Sequence, residues 1–348
     1  MAKLGFGIIG CGVIGPLHAK GIAASQDADL VAACDIVEEK AKALADGYDG
    51  TPDVYTDYQE MLKRDDLDVV CLCTPSGMHA EMGIACADAG KHVLSEKPID
   101  VKLDAIDALI DACKRGNVKL GCIFQRRTRK VSHVVREAVQ SGRLGQMVVG
   151  DAYLKYYRSP EYYQSADWRA TWKWDGGGAL MNQGVHGIDL LLWLMGPVKT
   201  VTAHAAHLVR DIEVEDTAVA ILTYENGAFG VVEGTTSIHP GLPSRHELHG
   251  DRGTIIIEES KILRWAIMDE EDEPPEIERE APKTGAFADP KAISGLGHIL
   301  QIQDMADAVN EDRDPLVPGE EARRAVELIL AIYRSSEAGQ TVSLPLTD

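Results

Sequence analysis

A chain of 348 residues, 45% hydrophobic and 26% charged, carries enough apolar material for two packed cores and does not have the composition of a disordered polymer. Its formal net charge of −20 repels phosphate backbones and anionic lipid, which argues against nucleic-acid and membrane partners. No stretch approaches the roughly 20 apolar residues that cross a bilayer, and the opening MAKLGFGIIG lacks the apolar length and cleavage site of a secretory signal, so a cytoplasmic protein is expected.

From residue 1 to 124 short apolar runs alternate with helical patterns. LGFGII, DLVAAC, LDVVCLC, KHVLSE and VKLGCIF read as strands, and helical periodicity falls near 16–24, 37–46, 57–64, 77–89 and 103–115. Strands with so little polar punctuation belong to a parallel sheet covered on both faces, which predicts a doubly wound α/β domain of the Rossmann type. All seven cysteines (11, 34, 71, 73, 86, 113 and 122) lie in this third of the chain without a CxxC pair. They read as small core residues rather than disulfide partners or zinc ligands, and no metal site is expected.

GCGVIG (10–15) follows the first strand and opens a helix. Gly10 permits the tight turn, Gly12 lets the backbone approach a pyrophosphate, and Gly15 lets helix and strand pack closely; Val13 and Ile14 complete the loop. Asp35 ends the second strand twenty residues after Gly15, placed to accept the ribose hydroxyls and to repel a 2′-phosphate. The predicted cofactor is NAD, with NADP disfavoured. Two more loops follow parallel strands at the edge where ligands bind. In TPSGMH (74–79), Thr74 and Pro75 line the turn, Ser76 suits a helix N-cap, and His79 faces either cofactor or solvent. In SEKP (95–98), Glu96 and Lys97 stand at the cleft edge and Pro98 stiffens the turn. Gln125 ends the last strand where it could meet the nicotinamide or substrate, with Arg126 beside it as a candidate substrate contact.

After residue 145 the strands are longer and alternate visibly: MVVGDAYLKYY, VKTVTAHAAHLV, DTAVAILTYENGAFGVVEGTTSI, SRHELHGDRGTIIIEE and KILRWAIMD. The pattern predicts a large, mostly antiparallel open sheet, with helices at about 178–195, 298–310 and 319–338 and a domain spanning 125–348. His204, His207, His246 and His249 read as sheet surface, and DEEDEPPEIERE (269–280) as a solvated acidic loop. In GGGALMNQGVHGIDLL (176–191), Asn182, His186 and Asp189 recur at helical spacing on one narrow face. His186 has a side chain suited to proton transfer near neutrality, Asn182 can bind a hydroxyl as donor and acceptor, and Asp189 reads as structural. Tyr157, Arg158, Trp168 and Arg169 precede the glycines and suit sugar rings or interface packing equally.

Taken together, GCGVIG with Asp35, CTPSGMH, EKP, the GGGALMNQGVHGIDLL helix and the tail beginning HILQIQDMADAV resemble the Gfo/Idh/MocA family of oxidoreductases. The resemblance implies an N-terminal Rossmann domain and a C-terminal α+β domain whose open sheet mediates homodimers or tetramers, with chemistry in the cleft between domains. The implied reaction is NAD-dependent, reversible oxidation of a secondary alcohol on a small sugar, anhydro sugar, cyclitol or other polyol. By resemblance Lys97 and His186 are the catalytic pair and His298 a substrate contact. Asn182 departs from the pattern, in which an Asp commonly stands four residues before the histidine. Hydride transfer needs alignment, exclusion of water and a route for one proton. His186 as base with Lys97 polarising the oxygen is the preferred assignment, and Lys97 as base stays open. The alternatives are a nucleotide-sugar dehydrogenase of the same family, a redox-neutral enzyme with tightly held NAD, or a non-catalytic NAD(P)-sensing regulator.

Overall fold

The computed structural model describes residues 3–271, 273–276 and 295–347. The chain divides into two units, Met1–Gln125 with Ser294–Arg323, and Arg126–Ile293 with Arg324–Asp348.

In the first unit, β1 (Leu4–Ile9), β2 (Ala28–Cys34), β3 (Asp53–Tyr55), β4 (Val69–Leu72), β5 (His92–Ser95) and β6 (Leu120–Cys122) form one sheet in the order β3-β2-β1-β4-β5-β6. Every pairing is parallel, as two-sided burial requires. The crossovers are α1 (Gly15–Ala24), α2 (Glu38–Asp46), α3 (Tyr58–Met61), α4 (His79–Asp88) and α5 (Leu103–Gly116). The order reverses between β1 and β4, which puts the ligand crevice of such sheets beside the GCGVIG turn. The cysteines are free thiols, six of them buried, and burial pushes those of Cys11 and Cys34 up to about 12.

One late segment also belongs to this unit. Helix α9 (Leu296–Asn310), expected with the second domain, places Ile302, Met305 and Ala306 in the same core as Phe6, Ile8, Val69 and Leu94. Its apolar stripe fits because Gly21 on α1 has no side chain: a β-carbon there would collide with Ile302. Sequence periodicity shows that α9 has a buried face but not which core receives it.

In the second unit, α6 (Lys130–Gln140) precedes β7 (Met147–Lys155), α7 (Pro160–Tyr163) and α8 (Val185–Met195). Then follow β8 (Val198–Ala206), β9 (Thr217–Tyr224), β10 (Phe229–Thr235), β11 (Arg245–Gly250), β12 (Gly253–Glu258), β13 (Lys261–Ile267) and β14 (Val342–Ser343). The sheet runs β13-β12-β11-β7-β10-β9-β8-β14, antiparallel except between β7 and β10. Helix α10 (Gly319–Ala338) lies in the first unit up to Arg323 and in the second from Arg324. Burial alternates along β9 and β10, leaving Val219, Ile221 and Phe229 exposed on one face. Helix α8 lies close to β7 because Gly187 leaves room for Leu154.

Two local expectations change. Residues Ala179–Gly184 form a π-turn ahead of α8 rather than its first α-turns, so Asn182 and His186 do not share a strict α-helical face. His246 is buried, with Nε2 2.9 Å from the Gly187 carbonyl, whereas His204 and His207 are exposed. Within the acidic segment residues 269–271 and 273–276 are exposed, and the rest lies outside the described residues. Among the described residues no helix is long and apolar enough to cross a membrane.

Candidate functional site

The turn from β1 into α1 is built on glycine. Gly10 has φ +95°, donates to the Cys34 carbonyl at 2.8 Å, and would bring a β-carbon to 2.6 Å from the Cys73 carbonyl oxygen. A β-carbon on Gly15 would stand 2.7 Å from the Gly10 carbonyl oxygen, whereas at Gly12 it would meet nothing within 4 Å. Gly12 is therefore bare backbone open to a ligand, and α1 starts without a side-chain cap, its Leu17 and His18 N–H groups on the Ile14 carbonyl. Asp35 holds the turn: one oxygen accepts from Cys11 N and the other from Val37 N, each at 2.9 Å. Each oxygen keeps a second acceptor site for a ribose hydroxyl. Val13 and Ile36 are 72% and 90% exposed, bare apolar surface suited to a flat base.

Loops after β4 and β5 are tied to each other. His79, expected to face cofactor or solvent, is buried, with Nε2 2.9 Å from the Thr74 carbonyl and Nδ1 2.8 Å from that of Pro98. Ser76 opens a 3₁₀ turn (Ser76–Met78) without capping α4; the Asp100 carboxylate does so, accepting from Ala80 N at 2.9 Å. Asp100 also accepts from Val101 N at 2.7 Å, a role without a sequence signal beyond a carboxylate near proline.

Glu96 sits inside rather than at a cleft edge. Its Oε1 accepts from His18 Nε2 at 2.9 Å and His298 Nε2 at 3.1 Å, and its Oε2 faces Lys97 N at 3.2 Å. Burial would raise its carboxyl, but the two imidazole hydrogen bonds outweigh that and hold it well below the usual carboxylate range. Burial lowers His18 despite the carboxylate beside it. His298, expected to contact substrate, is thus engaged with Glu96. Gln125 opens the turn Gln125–Thr128, and Gly297 on α9 lacks the β-carbon that would collide with it.

In the second unit a second polar group surrounds the π-turn. Gly177 and Gly178 lack side chains because β-carbons would collide with Tyr333 and with the Glu215 carbonyl oxygen. The Glu215 carboxylate accepts from Gly178 N and Leu180 N at 2.8 Å and from Tyr333 Oη at 2.7 Å. Asp175 accepts from Ala170 N at 2.9 Å and from the Asn182 amide, whose oxygen accepts from Gln183. Gln183 Oε1 accepts from Arg158 at 2.6 Å, and Arg169 donates to Tyr162 Oη at 2.7 Å while lying 4.6 Å over Trp168. Tyr157 packs edge-on to His239 under Arg210. His186 is the partly exposed second residue of α8, and Asp189 one turn on is buried in a bidentate pair with Arg127, 2.9 and 2.6 Å. Arg126, expected to meet substrate, is buried and donates to Tyr156 Oη at 3.3 Å and Ser244 Oγ at 2.9 Å. Asp175 and Glu215 escaped the sequence reading, because a carboxylate before a glycine run or a strand has many ordinary explanations.

Burial pushes Glu215 up to about 7, against the hydrogen bonds that favour its charged form. The folded state therefore holds a proton that the unfolded chain releases at about 4.5, so this group's contribution is full below 4.5 and declines as pH rises toward 7. The loss is about 3 kcal/mol. Urea unfolding of wild type and Glu215→Gln across pH 4.5 to 8 should show that decline in wild type alone; parallel curves would refute it.

Residues 4–124 match the oxidoreductase family with an NAD-binding Rossmann fold, and residues 133–256 match the GFO/IDH/MocA C-terminal domain. The inositol 2-dehydrogenase of Rhizobium meliloti is 30% identical over 264 residues, covering 74% of this chain and 76% of that protein. The chain belongs to the Gfo/Idh/MocA oxidoreductase family. Myo-inositol 2-dehydrogenase of Thermotoga maritima is 28% identical over 97% of this chain and 98% of its own length. The WlbA dehydrogenase of Bordetella pertussis, solved in complex with NADH and UDP-GlcNAcA, superposes with a TM-score of 0.87 at 32% identity, covering 99% of this chain and all of that one. The first unit is thus the NAD-binding domain of a Gfo/Idh/MocA oxidoreductase. Its open Gly12 backbone and Asp35 acceptor fit the pyrophosphate and ribose of that cofactor. Placed at the ribose as proposed, Asp35 would oppose a 2′-phosphate, and Asp35→Ser would remove that charge. The ratio of kcat/KM with NADP to that with NAD should rise at least about tenfold, and an unchanged ratio would refute this role.

Proposed function

We propose that this chain oxidises a secondary alcohol of a sugar, anhydro sugar or cyclitol, transferring hydride to NAD. The observation that carries the reading is the polar edge of the second unit, where Asn182 and Gln183 are oriented by Asp175 and Arg158 next to His186. The inositol dehydrogenase relatives support the same substrate class. NAD, when bound, accepts the hydride; the protein's residues supply the proton route and the alignment. His186 takes the hydroxyl proton through a neutral ring nitrogen, and Lys97 binds the same oxygen and stabilises negative charge as the C–H bond breaks. The products are a ketone, reduced cofactor and one proton. We also propose that the exposed Val219, Ile221 and Phe229 face carries a homodimer or tetramer contact.

The likeness to the WlbA dehydrogenase favours a second reading, a nucleotide-sugar substrate. Arg158 and Arg169 on the aromatic rings of Tyr162 and Trp168 suit an anionic sugar derivative. Reduced-nicotinamide absorbance with NAD and a panel of myo-inositol, levoglucosan, glucose and UDP-sugars separates the two. Turnover of free polyols or sugars is expected; turnover confined to UDP-sugars overturns the first reading, and NADH binding without any turnover favours a sensor.

A further inference from the structure

Three segments far apart in sequence meet on one carboxylate. His18 lies on α1, directly after the dinucleotide turn; Glu96 follows β5; His298 lies in the first turn of α9. All three side chains are buried, with Glu96 6% exposed. Both Nε2 atoms lie within hydrogen-bond distance of one carboxylate oxygen, which accepts from each, so each histidine donates from Nε2 and a single oxygen receives both bonds. The other oxygen faces the backbone N–H of Lys97 at 3.2 Å.

Two functions fit three buried ligand atoms, a metal centre or a fixed anchor. In a metal centre each imidazole would carry hydrogen on Nδ1 and hand it to an acceptor. Here the Nδ1 atoms of His18 and His298 have no hydrogen-bond partner among the described residues. A bare acceptor nitrogen is the cheaper orphan, and it is the one that the Nε2–H form leaves. The donor pattern favours the anchor.

We infer that Glu96, clamped by His18 and His298, is the positioning residue for Lys97, fixing the main chain from which that lysine reaches the substrate oxygen. The inference rests on the role of Lys97 proposed above. It also gives α1 and α9 a part in catalysis: displacement of either helix would move the carboxylate and hence Lys97. A shift of about 1 Å at such a group costs on the order of 10²-fold in rate.

The test is a double-substitution cycle in purified full-length enzyme, with turnover normalised to NADH-binding sites and melting temperature recorded for each variant. Glu96→Gln keeps the shape but presents an amide where two N–H donors and a backbone N–H converge. It is expected to lower kcat about 100-fold with KM for the alcohol changed less than about threefold. In a Lys97→Ala background the same change should cost nothing further, because a group acting through Lys97 has no effect once the lysine is gone. His298→Gln, which keeps a donor at the Nε2 position, should retain more turnover than His298→Ala. Multiplicative losses in the double variant would overturn the proposal, since they mark general structural damage. So would stoichiometric zinc in the wild-type protein, lost in Glu96→Gln. Undiminished activity of Lys97→Ala alone would instead remove the reading on which the inference rests.

Discussion

Lys97→Ala and His186→Ala are each expected to lower kcat/KM by about 10² to 10⁴ while changing NADH affinity less than about threefold. Under the proposed mechanism both side chains act on the substrate oxygen and its proton, whereas the proposed dinucleotide contacts are Gly12 and Asp35. Steady-state kinetics beside NADH fluorescence titration measures the two quantities separately. Full turnover by both variants would remove the assignment. A parallel loss of NADH binding would show that the substitutions damage the Rossmann unit instead.

Arg127→Ala should destabilise the protein by about 3 to 5 kcal/mol. The guanidinium makes two bonds to Asp189 with both side chains buried, so its removal strands a carboxylate away from water. Replacing both partners by apolar residues, Arg127→Met with Asp189→Leu, should cost less than either single change, since no charge is left behind. Urea unfolding monitors this, and equal costs for single and double variants would contradict it. Asp189 lies three residues after His186 on α8, so the single variants should also lose turnover beyond their folded fraction.

Period and punctuation carried much of the information. Apolar runs broken by GCGVIG, TPSGMH and SEKP determined a parallel, doubly wound sheet, because strands buried on both faces tolerate few polar residues. Alternation after residue 145 likewise determined the antiparallel sheet. Helix α6 was legible in principle, with Val131, Val135 and Ala138 at helical spacing, yet has no counterpart in the predicted elements. The edge strand β3 is three residues long, too short for any period.

What the sequence by itself determined is the type of each unit, the dinucleotide turn and the placement of Lys97 and His186 on their elements, all properties of neighbouring residues. Only the tertiary structure decided that α9 returns to the first core, that Glu96 and His298 face each other, that Arg126 is engaged with Tyr156 and Ser244, and that Asp175 holds Asn182. The Glu96–His298 pair alone joins residues 202 positions apart. Such pairings form because a buried charge must find a donor wherever the packed chain brings one, and local periodicity carries no record of that choice.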